Sequence, residues 1–296
     1  MNSRLIVFIF SCLASLSINS ACATVTFTEQ QPTKWIPFEL KDNFMIFKAE
    51  IRGLPASATI DTGQTFTHIS SKIAQTSRLP DGYAFVLRCA DKTVEVGAVG
   101  RVNYAVDGRS LKLRTMIDRG GEMIADVDIM FGADILKGGG IEIDYTKRQL
   151  RFFGEDFRYK GASSPLKLEK SVLGVPVLQG TIDGEKRTIV IDTGNVSPTV
   201  ALFVDKERFD RIAPTFEADG VTFKTAKSCG GTRIPVKVKK DSVISIGGLL
   251  KSKLDSSYAA SPEITKVVPD LTSLGFEFLK RFHVTLDLGK NELYLD

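Results

Sequence analysis

The sequence predicts a mostly β protein made of two similar lobes with short helices. Three observations carry this. Runs rich in Val, Ile, Thr and Phe alternate with Gly, Pro, Asn and Asp turn signals along the chain. A block of about 130 residues occurs twice in the same order. Stretches with helical spacing are few and short.

In chain order, residues 1–23 read as an export signal. Arg4 precedes the apolar run LIVFIFSCLASL (5–16), and Ala21-Cys22-Ala23 forms an A-x-A cleavage signal. That run is too short to span a bilayer, and no later run resembles a transmembrane helix. The expectation is a periplasmic or secreted protein cleaved near Ala23. The alternative is a lipid-modified Cys22, for which Asn19 is a poor match. Residues 24–34 form an N-terminal segment before the first lobe, 35–153. Residues 154–170 (GEDFRYKGASSPLKLEK), polar and rich in Gly and Ser, read as a linker to the second lobe, 171–296.

Within the first lobe, Phe44 to Arg52 and Ser57 to Asp61 read as strands joined by a Gly53-Leu54-Pro55 turn. Their counterparts are Val175 to Ile182 and Lys186 to Asp192, turned by Asp183-Gly184. Helical pieces are expected at Ser71 to Arg78, Ala133 to Lys137, Asp205 to Ala213 and Phe276 to Phe282.

The repeat is visible in motifs. ATIDTG (58–63) recurs as IVIDTG (189–194), and IMFGADILK (129–137) as LTSLGFEFLK (271–280). IEIDY (141–145) recurs as VTLDL (284–288), with twelve residues separating Gly132 from Asp144 and Gly275 from Asp287. QLRF (149–152) answers ELYL (292–295). Four matches in one order mean a duplicated domain.

Composition narrows the chemistry. Net charge is only +4 with basic residues dispersed, which excludes nucleic acid as the expected partner. The chain has two histidines, His68 and His283, and neither lies in a HExxH, CxxC or GxSxG setting. Hydrolases built on Ser/His or Cys/His and sites needing several imidazoles are therefore disfavoured. Both histidines read as structural, and carboxylates are left to do any catalysis.

On the paired DTG motifs, the IMFGADIL and LTSLGFEFL segments and the strands that follow, the chain resembles the aspartic proteases. Each half is similar to a retropepsin domain, over almost all of residues 35–296. The resemblance implies two β-barrel lobes related by a pseudo-two-fold axis, arranged in one chain as in pepsin. It implies a catalytic dyad of Asp61 and Asp192, with no metal and no organic cofactor. Two carboxylates in contact cannot both ionise, so the pair holds one proton while it activates a water. Thr62 and Thr193, by the resemblance, cross-link the two loops through hydroxyl-to-backbone hydrogen bonds. Gly63 and Gly194 let backbone amides approach the carboxylates. The expected partner is a peptide or unfolded protein segment, and one chain supplies both aspartates, so a monomer suffices.

The sequence departs from the family after DTG, where Gln64 and Asn195 replace the usual small residues. Three readings stand: the amides block the water, they donate to the outer carboxylate oxygens, or they face solvent. Beyond the leader two cysteines remain, Cys89 and Cys229. They lie 43 and 46 residues before Gly132 and Gly275, where retropepsin-like lobes carry their flap hairpins. The resemblance places them close enough for a flap-to-flap disulfide; two separately buried thiols are the alternative. The leading functional expectation is an aspartic endopeptidase. Its rival is an inactive protein that binds peptides or a partner in the same cleft.

Overall fold

The computed structural model describes residues 32–88, 93–118, 126–170, 174–212, 225–227, 233–247 and 250–296. Residues 1–23, expected as an export signal, and both Cys89 and Cys229 lie outside the described residues, and so does the disulfide expected between the cysteines.

The protein is mostly β, with closed six-strand barrels and short helices. In the first half the strands follow one another around the barrel as Phe44–Ile51, Leu54–Ile60, Ile129–Phe131, Thr67–Ser70, Arg109–Asp118 and Thr93–Val106. The last returns to the first through Glu50↔Ala105 and Ile51↔Tyr104. The second half repeats this order with Pro176–Ile182, Glu185–Ile191, Leu271–Leu274, Val200–Val204, Leu250–Ala260 and Arg233–Ile246. It closes through Gly180↔Ile246. Closure leaves these strands no free edge within the ring.

Both barrels fill with the inward side of alternating strands. Phe47, Tyr104, Phe131 and Phe152 pack around one another in the first half. Leu178, Ile189, Ile191, Leu202 and Leu274 are fully buried in the second. Burying such side chains is the main favourable term in folding.

A third sheet joins the halves. Its order is Ile36–Pro37, Gln149–Gly154, Gly139–Asp144, His283–Asp287, Glu292–Leu295 and Leu166–Lys167. Its central pair is antiparallel, with Gly140↔Asp287, Glu142↔Thr285 and Asp144↔His283. Because Asp144 and Asp287 are equivalent in the repeat, this register is symmetric about the Glu142–Thr285 pair. The two halves therefore meet across a local two-fold axis.

Several local expectations are revised. The first hairpin turns at Arg52 and Gly53, with φ of 51° and 80°, while Leu54 and Pro55 already belong to the strand. A two-residue turn of this type needs positive φ at both central residues, which proline cannot adopt. Asp183 and Gly184 turn the counterpart in the same way, with φ of 52° and 84°. The helical pieces are shorter than their sequence patterns. They run over Ser71–Thr76, Lys206–Arg211 and Phe276–Leu279, with a 3₁₀ turn at Ala133–Leu136. A further short helix, Pro262–Thr265, starts on a proline. The segment read as a linker carries two short strands, Leu166–Lys167 against the C-terminal strand and Glu169–Lys170 against Val177 and Pro176. Among the described residues no helix is long and apolar enough to cross a membrane.

Candidate active site

Each DTG motif follows a barrel strand at its C-terminal end. Leu54–Ile60 runs parallel to Ile129–Phe131, and Glu185–Ile191 runs parallel to Leu271–Leu274. Asp61 N–H donates to Phe131 O at 2.8 Å, and Asp192 N–H to Leu274 O at 3.0 Å. Each loop is then pinned from its other side. Ala133 N–H donates to Gln64 O at 2.7 Å, and Phe276 N–H to Asn195 O at 2.9 Å. The glycines between these bonds are obligatory for close approach. A Cβ on Gly132 would lie 2.5 Å from Phe66 O, and one on Gly275 would lie 2.0 Å from Asn195 O.

The two loops interlock through their threonines. Thr62 Oγ1 donates to Ile191 O at 2.6 Å and accepts Thr193 N–H at 3.1 Å. Thr193 Oγ1 donates to Ile60 O at 2.8 Å and accepts Thr62 N–H at 3.0 Å. Both side chains are buried, so each bond satisfies a backbone group that water does not reach.

This brings the carboxylates together. A Cβ on Gly63 would lie 2.4 Å from Asp192 Oδ1, and a Cβ on Gly194 would lie 2.1 Å from Asp61 Cγ. Each carboxylate thus sits over the glycine of the opposite loop. Gly63 N–H donates to Asp61 Oδ1 at 2.9 Å, and Gly194 N–H to Asp192 Oδ1 at 3.0 Å. Asp61 is held well above the ordinary carboxylate range. Burial is the largest cause, followed by the negative charge of Asp192 and a hydrogen bond between the two side chains. The donors Gln64 and Gly63 N–H act in the opposite direction.

The amides after DTG do different things in the two halves. Gln64 Nε2 donates to Asp61 Oδ2 at 2.9 Å and lies 3.0 Å from Met130 Sδ. Asn195 reaches Asp192 through its backbone N–H, at 3.1 Å from Oδ1. Its side chain turns to Ser273 instead, with Nδ2 at 3.1 Å from the carbonyl and 2.9 Å from Oγ. Ser273 Oγ then donates to Asp192 Oδ2 at 2.6 Å. Of the readings open at the sequence level, donation to an outer carboxylate oxygen describes Gln64. Asn195 acts one residue further away, and neither side chain is turned simply to solvent.

Ser273 is the site residue that sequence reasoning missed. The signal was present: aligning IMFG (129–132) with TSLG (272–275) sets Ser273 against Met130, a polar residue in a buried strand position. His68 is the cross-strand partner of Met130. It is buried beside Asp118, and desolvation lowers its pKa to about 4, with the Asp118 charge opposing. His283 lies in the joining sheet opposite Asp144 and makes an edge contact with Trp35. No family model matches this chain, and no curated protein matches it either.

Proposed function

We propose that this chain is an exported aspartic endopeptidase of two retropepsin-like lobes, working by water activation on Asp61 and Asp192. The observation that carries the reading is the mutual seating of the two carboxylates over each other's glycines, with Asp61 pushed toward its protonated form. A pair that holds one proton at mildly acid pH has a base and an acid side by side. The ionised member takes a proton from water as its oxygen bonds to the peptide carbonyl carbon. The protonated member gives its proton to the carbonyl oxygen. In the second step a proton passes to the amide nitrogen, the C–N bond breaks, and the dyad returns to its starting state. The threonine interlock supports this chemistry, since it holds the two loops at fixed separation. The substrate class is a peptide or an unfolded segment, and a single chain supplies the whole dyad.

The test is cleavage of an unbiased peptide library between about pH 3 and 7, under oxidising and reducing conditions, with Asp61→Asn as the control. Cleavage by the native protein that is lost in Asp61→Asn is expected. Peptide binding without cleavage in every condition would replace this reading with that of a binding protein.

A further inference from the structure

We infer that Ser273, oriented by Asn195, sets the resting state of the dyad, holding Asp192 as the ionised base and leaving the shared proton on Asp61. The inference rests on the peptidase reading above and adds a positioning residue and an assignment of roles to it.

The argument is a count of donors and acceptors. Ser197 N–H donates to Asn195 Oδ1 at 3.1 Å, which fixes the orientation of that amide. Asn195 Nδ2, a donor only, therefore points at Ser273 Oγ and Ser273 O. The hydroxyl accepts from Asn195 and donates its one proton to Asp192 Oδ2, 2.6 Å away. That length suits an O–H donor on a charged acceptor. Asp192 Oδ1 meanwhile accepts two backbone N–H bonds, from Gly194 and Asn195. Three donors thus converge on Asp192, one of them a hydroxyl.

Among the described residues, Asp61 receives less. It accepts from Gly63 N–H on Oδ1 and from Gln64 Nε2 on Oδ2. At the position equivalent to Ser273 stands Met130, whose thioether has no proton to give. Asp61 is also the more deeply buried of the two, and Asp192 is partly exposed. Burial favours the neutral acid and hydrogen-bond donors favour the anion, so both differences act in the same direction. Gln64, Met130, Asn195 and Ser273, which face the carboxylates from the packed loops and strands, do not titrate. Among the described residues, the titratable group that acts on Asp61 is Asp192.

The roles then follow with atoms balanced. Water adds to the carbonyl carbon, its proton goes to Asp192, and the Asp61 proton goes to the carbonyl oxygen, giving a neutral diol. A diol proton then passes to Asp61, the Asp192 proton passes to the nitrogen, and the C–N bond breaks to acid and amine.

Two measurements on the full chain test this. The first is kcat/KM against pH on a peptide that the native protein cleaves. Ser273→Ala should move the acid limb upward by about one pH unit, because the base has lost its strongest donor, while Ser273→Thr restores the native limb. The second needs no turnover: carboxyl ¹³C titration in an Asp61→Asn background, with Asp192→Asn identifying the resonance. Adding Ser273→Ala there should raise the Asp192 midpoint by a similar amount. An unmoved Asp192 midpoint overturns the inference whether or not any peptide is cleaved. An acid limb that stays in place, or a shift of the alkaline limb alone, overturns it with the peptidase reading intact. Absence of cleavage with a shifted midpoint defeats the peptidase reading and leaves the hydrogen-bond assignment standing.

Discussion

Thr62 and Thr193, 131 residues apart in sequence, each accept the other's backbone N–H on a side-chain hydroxyl, at 3.1 Å and 3.0 Å. Each hydroxyl also donates to the strand that leads into the other's loop. Thr62→Val keeps the shape and removes both bonds, leaving Ile191 O and Thr193 N–H buried without partners. We expect a loss of about 2–4 kcal/mol in urea unfolding. Thr62→Ser should cost clearly less. Thr62→Val and Thr193→Val together should cost less than the sum of the two, because the four bonds form one network.

The glycines face the opposing carboxylates rather than their own. A methyl at Gly194 would sit 2.1 Å from Asp61 Cγ, and one at Gly63 2.4 Å from Asp192 Oδ1. Gly63→Ala and Gly194→Ala should each destabilise the fold by about 1–3 kcal/mol and separate the carboxylates. Thermal unfolding checks the first effect. In the second, Asp61 should titrate closer to an isolated carboxylate by ¹³C NMR, since a more distant Asp192 raises it less.

Two buried groups outside the dyad make opposite contributions to stability with pH. Asp134 accepts a hydrogen bond from Thr67 at 2.9 Å, but burial dominates and raises its pKa to about 6. Its contribution is complete below the unfolded value of 3.8 and is lost as pH rises through about 6. His68, lowered to about 4, contributes above its unfolded value of 6.5 and loses that contribution as pH falls. Each is worth about 3 kcal/mol across the interval, and the two offset each other. Relative to the native protein, Asp134→Asn should gain stability as pH rises from 4 to 6. His68→Gln should gain as pH falls over the same range. Unfolding free energies measured at intervals of pH decide it; parallel curves for variant and native protein would remove either group from the account.

Arg187 is fully buried and pairs with Glu185 at 2.8 Å and Asp270 at 3.2 Å, while Arg208 from the helix Lys206–Arg211 contacts the same two carboxylates. Among the described residues, the Nε of Arg187 has no partner. Glu185 and Asp270 are about half exposed, which reduces what the pairs contribute. Arg187→Ala should cost about 2–3 kcal/mol through the cavity and the lost pairs. Arg187→Met, which refills the space and needs no partners, should cost less. Chemical denaturation of the two variants compares them directly.

Much of this protein is legible in its sequence because duplication prints the same local physics twice. The ATIDTG and IVIDTG strands, the glycines twelve residues before Asp144 and Asp287, and the Asp183-Gly184 turn all report short-range rules. Strand periodicity, positive-φ turns and close-approach glycines act over a few residues, so sequence alone determined the mostly β character and the paired aspartates. The ends of elements were less legible: Pro55 belongs to a strand because the two-residue turn before it has no place for proline.

What the tertiary structure decided lies across the repeat. Gln64 and Asn195 occupy the same place in sequence, yet only Gln64 reaches its aspartate by side chain. Asn195 is one carbon shorter and meets Ser273, which no local rule connects to Asp192, 81 residues away. Closure of the barrels and the symmetric register of the joining sheet depend likewise on pairings between distant segments, such as Asp144 with His283. A hydrogen bond depends on position to within tenths of an ångström, and a pKa on everything that excludes water around it. Both are set by how the two halves pack, so sequence could name the two carboxylates while only the fold could make them unequal.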